Sequence, residues 1–178
     1  MKKTVLTFGL ISGAIMMIMM LITMPFSSRI GYDKALVVGY TTMVLAFMLL
    51  FMGIRSYREN VGGGSITFGR GFAVGILITL IACLLYAATW DAIYFGVPGF
   101  SEKFIAFCNE HARHSGVSAE AAQQQIDSMK RLLGNPLLNG LMAFIEPLPV
   151  GLLVTLISAA ILRKKPEPPA QETAAAAA

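Results

Sequence analysis

The chain has 178 residues, of which 56% are hydrophobic and 13% charged, and a formal net charge of +4. With a mean hydropathy of +0.67, it carries more apolar residues than a water-soluble domain normally does. The apolar residues come in four blocks of about 20 or more, the length that crosses about 30 Å of hydrocarbon. The basic residues gather at the ends of those blocks, where they orient a membrane protein, and no basic patch with interleaved aromatics points to a nucleic acid.

The first block runs from Thr4 to Met24 behind Met1, Lys2 and Lys3. A positive start before an apolar run also describes a secretory signal. Here the apolar part is about 21 residues, beyond the 7 to 15 of a signal core, and MPFSSRIG offers no small-x-small cleavage site, so a retained first span is expected. Pro25 is expected to end it. A polar connection, Phe26 to Lys34, leads to the second block, Ala35 to Ile54, which closes on Arg55, Ser56, Tyr57, Arg58 and Glu59.

A glycine-rich stretch, NVGGGSITFGRG from Asn60 to Gly71, follows. Gly62, Gly63 and Gly64 suit a turn, and Ser65 and Thr67 offer hydroxyls to cap the next helix. The third span is expected over about Gly71 to Tyr94. Tyr86, Trp90, Tyr94 and Phe95 gather near its end, as aromatics do at headgroup level, and Val97, Pro98 and Gly99 stop it. From Phe100 to Gly134 a polar excursion carries four acids and four bases. Phe100, Phe104 and Phe107 share one helical face, and Ala122, Ile126, Met129 and Leu133 share another, so two amphipathic helices are expected, the second capped by Ser118 and stopped at Gly134, Asn135 and Pro136.

The fourth block, about Pro136 to Leu162, is interrupted by Glu146, Pro147 and Pro149 and ends at Arg163, Lys164 and Lys165. A proline inside a span removes a backbone hydrogen bond and kinks the helix. Residues 1–165 thus form one membrane domain, and 166–178, PEPPAQETAAAAA, have the composition of a disordered tail. The fold class is all-α: an integral membrane four-helix bundle with an amphipathic helical excursion, 100–134, between the third and fourth helices. Short segments on the side holding both termini carry Lys2, Lys3, Arg55, Arg58, Arg70, Arg163, Lys164 and Lys165. That excess predicts cytoplasmic termini and an extracytoplasmic excursion.

Set in order, these blocks resemble the domain of unknown function 4199 family, small bacterial inner-membrane proteins. The resemblance rests on GLISG (Gly9 to Gly13), GGSITFGRGFAVG (Gly63 to Gly75), VPGFSEKF (Val97 to Phe104) and LISAAILRKK (Leu156 to Lys165). It covers nearly the whole chain except the tail. It implies a four-span fold in the bacterial inner membrane, and it carries over no activity, ligand or active-site residue.

The candidate sites are few. Gly64 to Gly71 has the spacing of a phosphate-binding loop but lacks the lysine followed by Ser or Thr, and no strand precedes it. An interfacial turn with Arg70 at the phosphate headgroups is the expected reading. Arg55, Arg58, Arg163, Lys164 and Lys165 are expected at the same level. Gly9 with Gly13 and Gly71 with Gly75 form GxxxG steps that let helix backbones approach closely. Asp91 and Glu146 are the acids in or near apolar blocks and the candidate proton or cation site, at depths that put both toward the outer interface. Glu146 is also read as polar company for the backbone loosened by Pro149. Glu110, His111 and His114 give E-H-x-x-H, not the H-E-x-x-H of a zinc peptidase, and no third ligand stands at a diagnostic distance. Cys83 and Cys108 are read as free thiols, and the methionines of the first span as flexible packing. No cofactor is implied. The chain is therefore expected to be a structural or accessory membrane protein and not an enzyme, in contact with the bilayer and with a second copy or another membrane protein. The alternative is a small oligomeric transporter or channel using Glu146 and Asp91.

Overall fold

A computed structural model describes residues 1–114 and 118–164; Lys165 and the tail 166–178 lie outside the described residues. The described residues form seven helices: α1 (Lys2–Ile30), α2 (Tyr32–Asn60), α3 (Phe68–Gly96), α4 (Phe100–His114), α5 (Ala119–Leu133), α6 (Pro136–Ile145) and α7 (Leu148–Leu162). Four stretches are long and apolar enough to cross a membrane, namely Lys2–Met24, Lys34–Asn60, Phe68–Gly96 and Pro136–Leu162.

Two expected boundaries move. Pro25 does not end α1, which continues to Ile30, and the expected connection Phe26 to Lys34 shrinks to Gly31. A proline deprives a helix of one hydrogen bond without obliging it to stop, whereas Gly31, at φ +82, takes the left-handed conformation that lets the chain leave one helix and enter the next. At the other end of α2, Gly63 and Gly64 also have positive φ. The α3 helix starts at Phe68, a few residues before Gly71, because the Thr67 hydroxyl accepts a hydrogen bond from the Arg70 N–H and caps it there. Ser65 takes no part in that cap; its hydroxyl donates to the Gly62 carbonyl in the turn.

The α3 helix is the centre of the bundle. A Cβ built on Gly9 would lie 2.9 Å from Ile81 Cβ, and one on Gly13 would lie 2.6 Å from Leu85 Cδ1, so α1 runs parallel to α3 with its glycines against it. The opposite partner is antiparallel. Gly71 faces Ala159 (3.4 Å to a built Cβ), Gly75 faces Thr155 (2.6 Å), and Gly151 meets Thr79. Each of these steps is four residues on both helices, so two rows of small residues lie against each other. In lipid the apolar effect gives helices no reason to associate, and close van der Waals contact of this kind supplies it. The Thr79 and Thr155 hydroxyls, both fully buried, lie 3.3 Å apart, and Thr79 also donates to the Gly75 carbonyl. The α2 helix closes the bundle by placing Phe47, Leu50 and Ile54 in the core beside Val74 and Ile78. Its Gly53 lies under Phe8 and Ile78.

Helices α4 and α5 have a smaller core of their own, Cys108, Ala112, Ala122 and Ile126, with Phe104, Ile105 and Met129 around it. Ser118 caps α5 by accepting from the Ala121 N–H. Burial pushes the Cys108 thiol above its ordinary range. The fourth span breaks at Glu146–Pro147, giving α6 and α7.

Replacing Gly75 with leucine should force Thr155 and Ile54 apart and cost about 1–3 kcal/mol, as overpacking does. A lower thermal midpoint of the detergent-solubilised protein would show it. Gly39→Leu is the control, since a Cβ there meets nothing within 4 Å, and its midpoint should not fall.

Candidate functional site

A second group of polar side chains in the spans collects where the end of α3 meets α6. The start of α6 is fixed by Asn135, whose side chain accepts from the Leu137 and Leu138 N–H groups, and by Pro136 in the first turn. One turn later Asn139 faces α3 and is fully buried. Its Oδ1 accepts from Trp90 Nε1 at 2.9 Å, and its Nδ2 donates to Asp91 Oδ1 at 2.9 Å. The absence of a side chain on Gly140 leaves room for the Asp91 carboxylate, which a Cβ there would strike. Both ends of one buried amide are thus used, which is how a buried polar group avoids its desolvation cost.

An aromatic group lies over this end of α3. Trp90 meets Phe104 edge to face with ring centres 5.0 Å apart, and Phe100 at 6.1 Å. Tyr94, itself buried, packs at right angles against Phe95 (5.0 Å), Phe100 and Phe104 (both 6.3 Å). Trp90 therefore touches α4 with its ring and α6 with its N–H. The hairpin is seated by the residues that also orient Asn139.

Asp91 and Glu146 have different partners. The Glu146 carboxylate accepts from the Tyr86 hydroxyl at 3.4 Å, at an exposed position on the bundle surface. Tyr86 precedes Asp91 by five residues, about 7.5 Å of helix rise, so the two acids occupy successive levels of the α3–α6 contact. Glu146, expected as polar company for the backbone near Pro149, makes this contact with α3. What the arrangement does chemically is present two carboxylates, each held by one neutral hydrogen-bond donor.

At the opposite end of the bundle, Arg55 is exposed and pairs with Glu59 at 2.8 Å. Arg58 reaches Glu59 at 3.2 Å through Nη2 and donates from Nη1 to the Leu162 carbonyl at 3.5 Å, which joins the ends of α2 and α7. Arg70, Arg163 and Lys164 are exposed. The Lys164 backbone also makes an antiparallel bridge with Ile66, N–H to carbonyl in both directions at 2.9 and 3.0 Å. Glu110 and His111 lie on α4, while the imidazole of His114 is outside the described side chains. Among the described residues no three His, Cys, Asp or Glu side chains gather as a metal set would, and Cys83 and Cys108 are both free and buried.

Sequence reasoning passed over Asn139 and the row Gly151, Thr155, Ala159. Two signals were available: an asparagine in the apolar run PLLNGLMAF, and small residues repeated every four positions in the last span.

The family model described as "Protein of unknown function (DUF4199)" matches residues 7–164. The chain belongs to that family. No curated protein and no solved structure matches it. The matched range takes in the glycines of α1, the α3–α7 contact, the Trp90–Asn139–Asp91 group and the basic loop.

Asn139→Leu would leave the Trp90 N–H and the Asp91 carboxylate without their partner, at an expected cost of about 1–3 kcal/mol. Trp90 is the single tryptophan, so its fluorescence reports the site directly. The substitution should shift its emission and lower the unfolding midpoint, whereas Asp91→Asn, which keeps an amide opposite Asn139, should cost less.

Proposed function

We propose that this DUF4199 protein is a multi-pass accessory protein of a bacterial inner membrane, acting through helix packing and partner contact without catalysing a reaction. In this reading both termini are cytoplasmic and the α4–α5 hairpin is extracytoplasmic, as the eight basic residues in short segments at the opposite end favour. One observation carries the proposal. Four pairs of polar groups within the spans are engaged with one another, Thr79 with Thr155, Trp90 with Asn139, Asn139 with Asp91 and Tyr86 with Glu146, which is a use of polarity to join helices, while the buried Ser12 hydroxyl of α1 has no partner among the described residues. The GxxxG faces expected at Gly9, Gly13, Gly71 and Gly75 are likewise occupied by helices of the same chain. One surface left for a partner is the apolar outside of α1 and α2, where Leu10, Ile18, Leu45 and Met48 are exposed; Leu84 of α3, Leu141 of α6 and Ile161 of α7 are exposed as well.

A photo-crosslinking residue at Leu45 or Met48 should capture a second copy or another membrane protein in native membranes, identified by mass spectrometry. Recovery of the monomer alone from these positions and from Leu141 and Ile161 would remove the partner half of this reading.

The alternative, a small oligomeric transporter or channel, is favoured by the break at Glu146–Pro147 with an exposed carboxylate beside it, since interrupted helices and ionisable groups in spans mark ion pathways. It requires that Glu146→Gln abolish a proton or cation flux in proteoliposomes while the protein still assembles. Equal flux in wild type, Glu146→Gln and Asp91→Asn would exclude it.

A further inference from the structure

The outer half of the bundle is less closed than the inner half. The α2 helix packs along α7 but hardly touches α6, which lies against α3 and α5. On the outer side of the Glu146–Pro147 break the fourth span therefore has α3 beside it and an opening toward α2.

Three side chains from three helices come together there. The α2 helix and the fourth span run in register, Phe47 against Gly151 and Arg58 Nη1 on the Leu162 carbonyl, with one offset of 104 residues. The same offset sets Glu146 level with Thr42, about half a turn from Tyr40. From α3, the Tyr86 hydroxyl donates to the Glu146 carboxylate at 3.4 Å, and it is close enough to the Tyr40 hydroxyl for the two to act on each other electrostatically. Tyr40 and Glu146 are both exposed, so the group is open at the bundle surface.

The chain brings no positive charge to this depth. No lysine or arginine occurs in 4–28, 35–54, 71–102 or 132–162, and among the described residues Glu146 makes no ion pair. An ionised carboxylate in a span is costly until a proton or a cation meets it. The oxygens present decide which cation suits it. A hard inorganic ion exchanges its water for six or more oxygen ligands, and here stand one carboxylate and two phenols, with no metal-binding group of side chains among the described residues. An organic cation with apolar substituents has no tight water shell to replace, and aromatic faces attract it.

We propose that Tyr40, Tyr86 and Glu146 form a binding site for a monovalent organic cation with apolar substituents, entered between α2 and α6. The proposal rests on the second reading above in taking Glu146 as an ion-binding group, and it names the class of ion. Glu146 supplies the countercharge and Tyr40 an aromatic face, while the Tyr86 hydroxyl holds the carboxylate in place.

The test is equilibrium dialysis of labelled tetraphenylphosphonium against the full chain in detergent. Wild type is expected to bind it. Glu146→Gln should weaken binding at least about tenfold, and Tyr40→Leu by about three- to tenfold, with Tyr40→Phe, which keeps the ring, close to wild type. Glu120→Gln, on the exposed face of α5, should leave binding unchanged. Trp90 emission without ligand should be the same in every variant, since each changed side chain is exposed. Equal binding by wild type and Glu146→Gln overturns the proposal, as does an equal loss in Glu120→Gln. Displacement by the neutral triphenylphosphine oxide would show apolar partition only, and displacement by excess sodium an inorganic ion site; either overturns it. Flux in proteoliposomes separates the two failures. A Glu146-dependent proton flux without tetraphenylphosphonium binding overturns this site and leaves the transporter reading, whereas Glu146-dependent binding without any flux excludes transport and leaves the site.

Discussion

The fold depends on how closely α3 and α7 can approach. Gly71, Gly75 and Thr79 on one helix and Gly151, Thr155 and Ala159 on the other keep the backbones close enough for direct contact along three turns. Lipid chains are as apolar as leucine, so burying leucine between helices gains little there, and dense contact between backbones must do the holding. The position of α3 decides the rest. Its other face receives Gly9 and Gly13 of α1, and Ile54 of α2 fills the space beside Gly71 and Gly75. With small residues of its own toward α7 and the glycines of α1 against Ile81 and Leu85, α3 can sit in the middle of four.

Contact through rows of four-residue spacing favours helices that cross at about −40° to −50°, and straight helices at that angle separate within a few turns. The fourth span nevertheless stays on α3 from Ala159 against Gly71 to Asn139 against Asp91. These pairs keep one antiparallel register across the Glu146–Pro147 break. The break divides the span into α6 and α7, and both pack on α3. The polar contacts then follow depth: hydroxyl to hydroxyl at Thr79 and Thr155, phenol to carboxylate at Tyr86 and Glu146, and indole to amide to carboxylate at Trp90, Asn139 and Asp91.

Much of this was legible in the residues. Four apolar blocks, the Thr67 and Ser118 caps, the end of α3 before Pro98 and the broken fourth span all follow from local chemistry, and the structure has them. The end of α1 was misread because Pro25 was given the weight that belongs to Gly31, where the backbone takes positive φ. Asp91 and Glu146 were read from the sequence as lying at similar depths, and the structure gives them separate partners on successive levels of the α3–α6 contact. Depth along a helix leaves open which way a side chain is turned, and the partners, Asn139 for one and Tyr86 for the other, are properties of the folded pair. The Ile66–Lys164 bridge had no local signal at all, since it joins residues 98 positions apart through backbone atoms.

The division of the fourth span also bears on how the chain enters a bilayer. At 1.5 Å per residue, α6, with 10 residues, rises about 15 Å, and α7, with 15, about 22 Å, so neither reaches across 30 Å of hydrocarbon by itself. The segment also carries Asn139 and Glu146, whose transfer into lipid alone is unfavourable. During synthesis α3 is made first and already presents Trp90, Tyr86 and the glycine row. It therefore offers a template along which the two short helices can be inserted as one unit, and the last crossing becomes a cooperative product of the third.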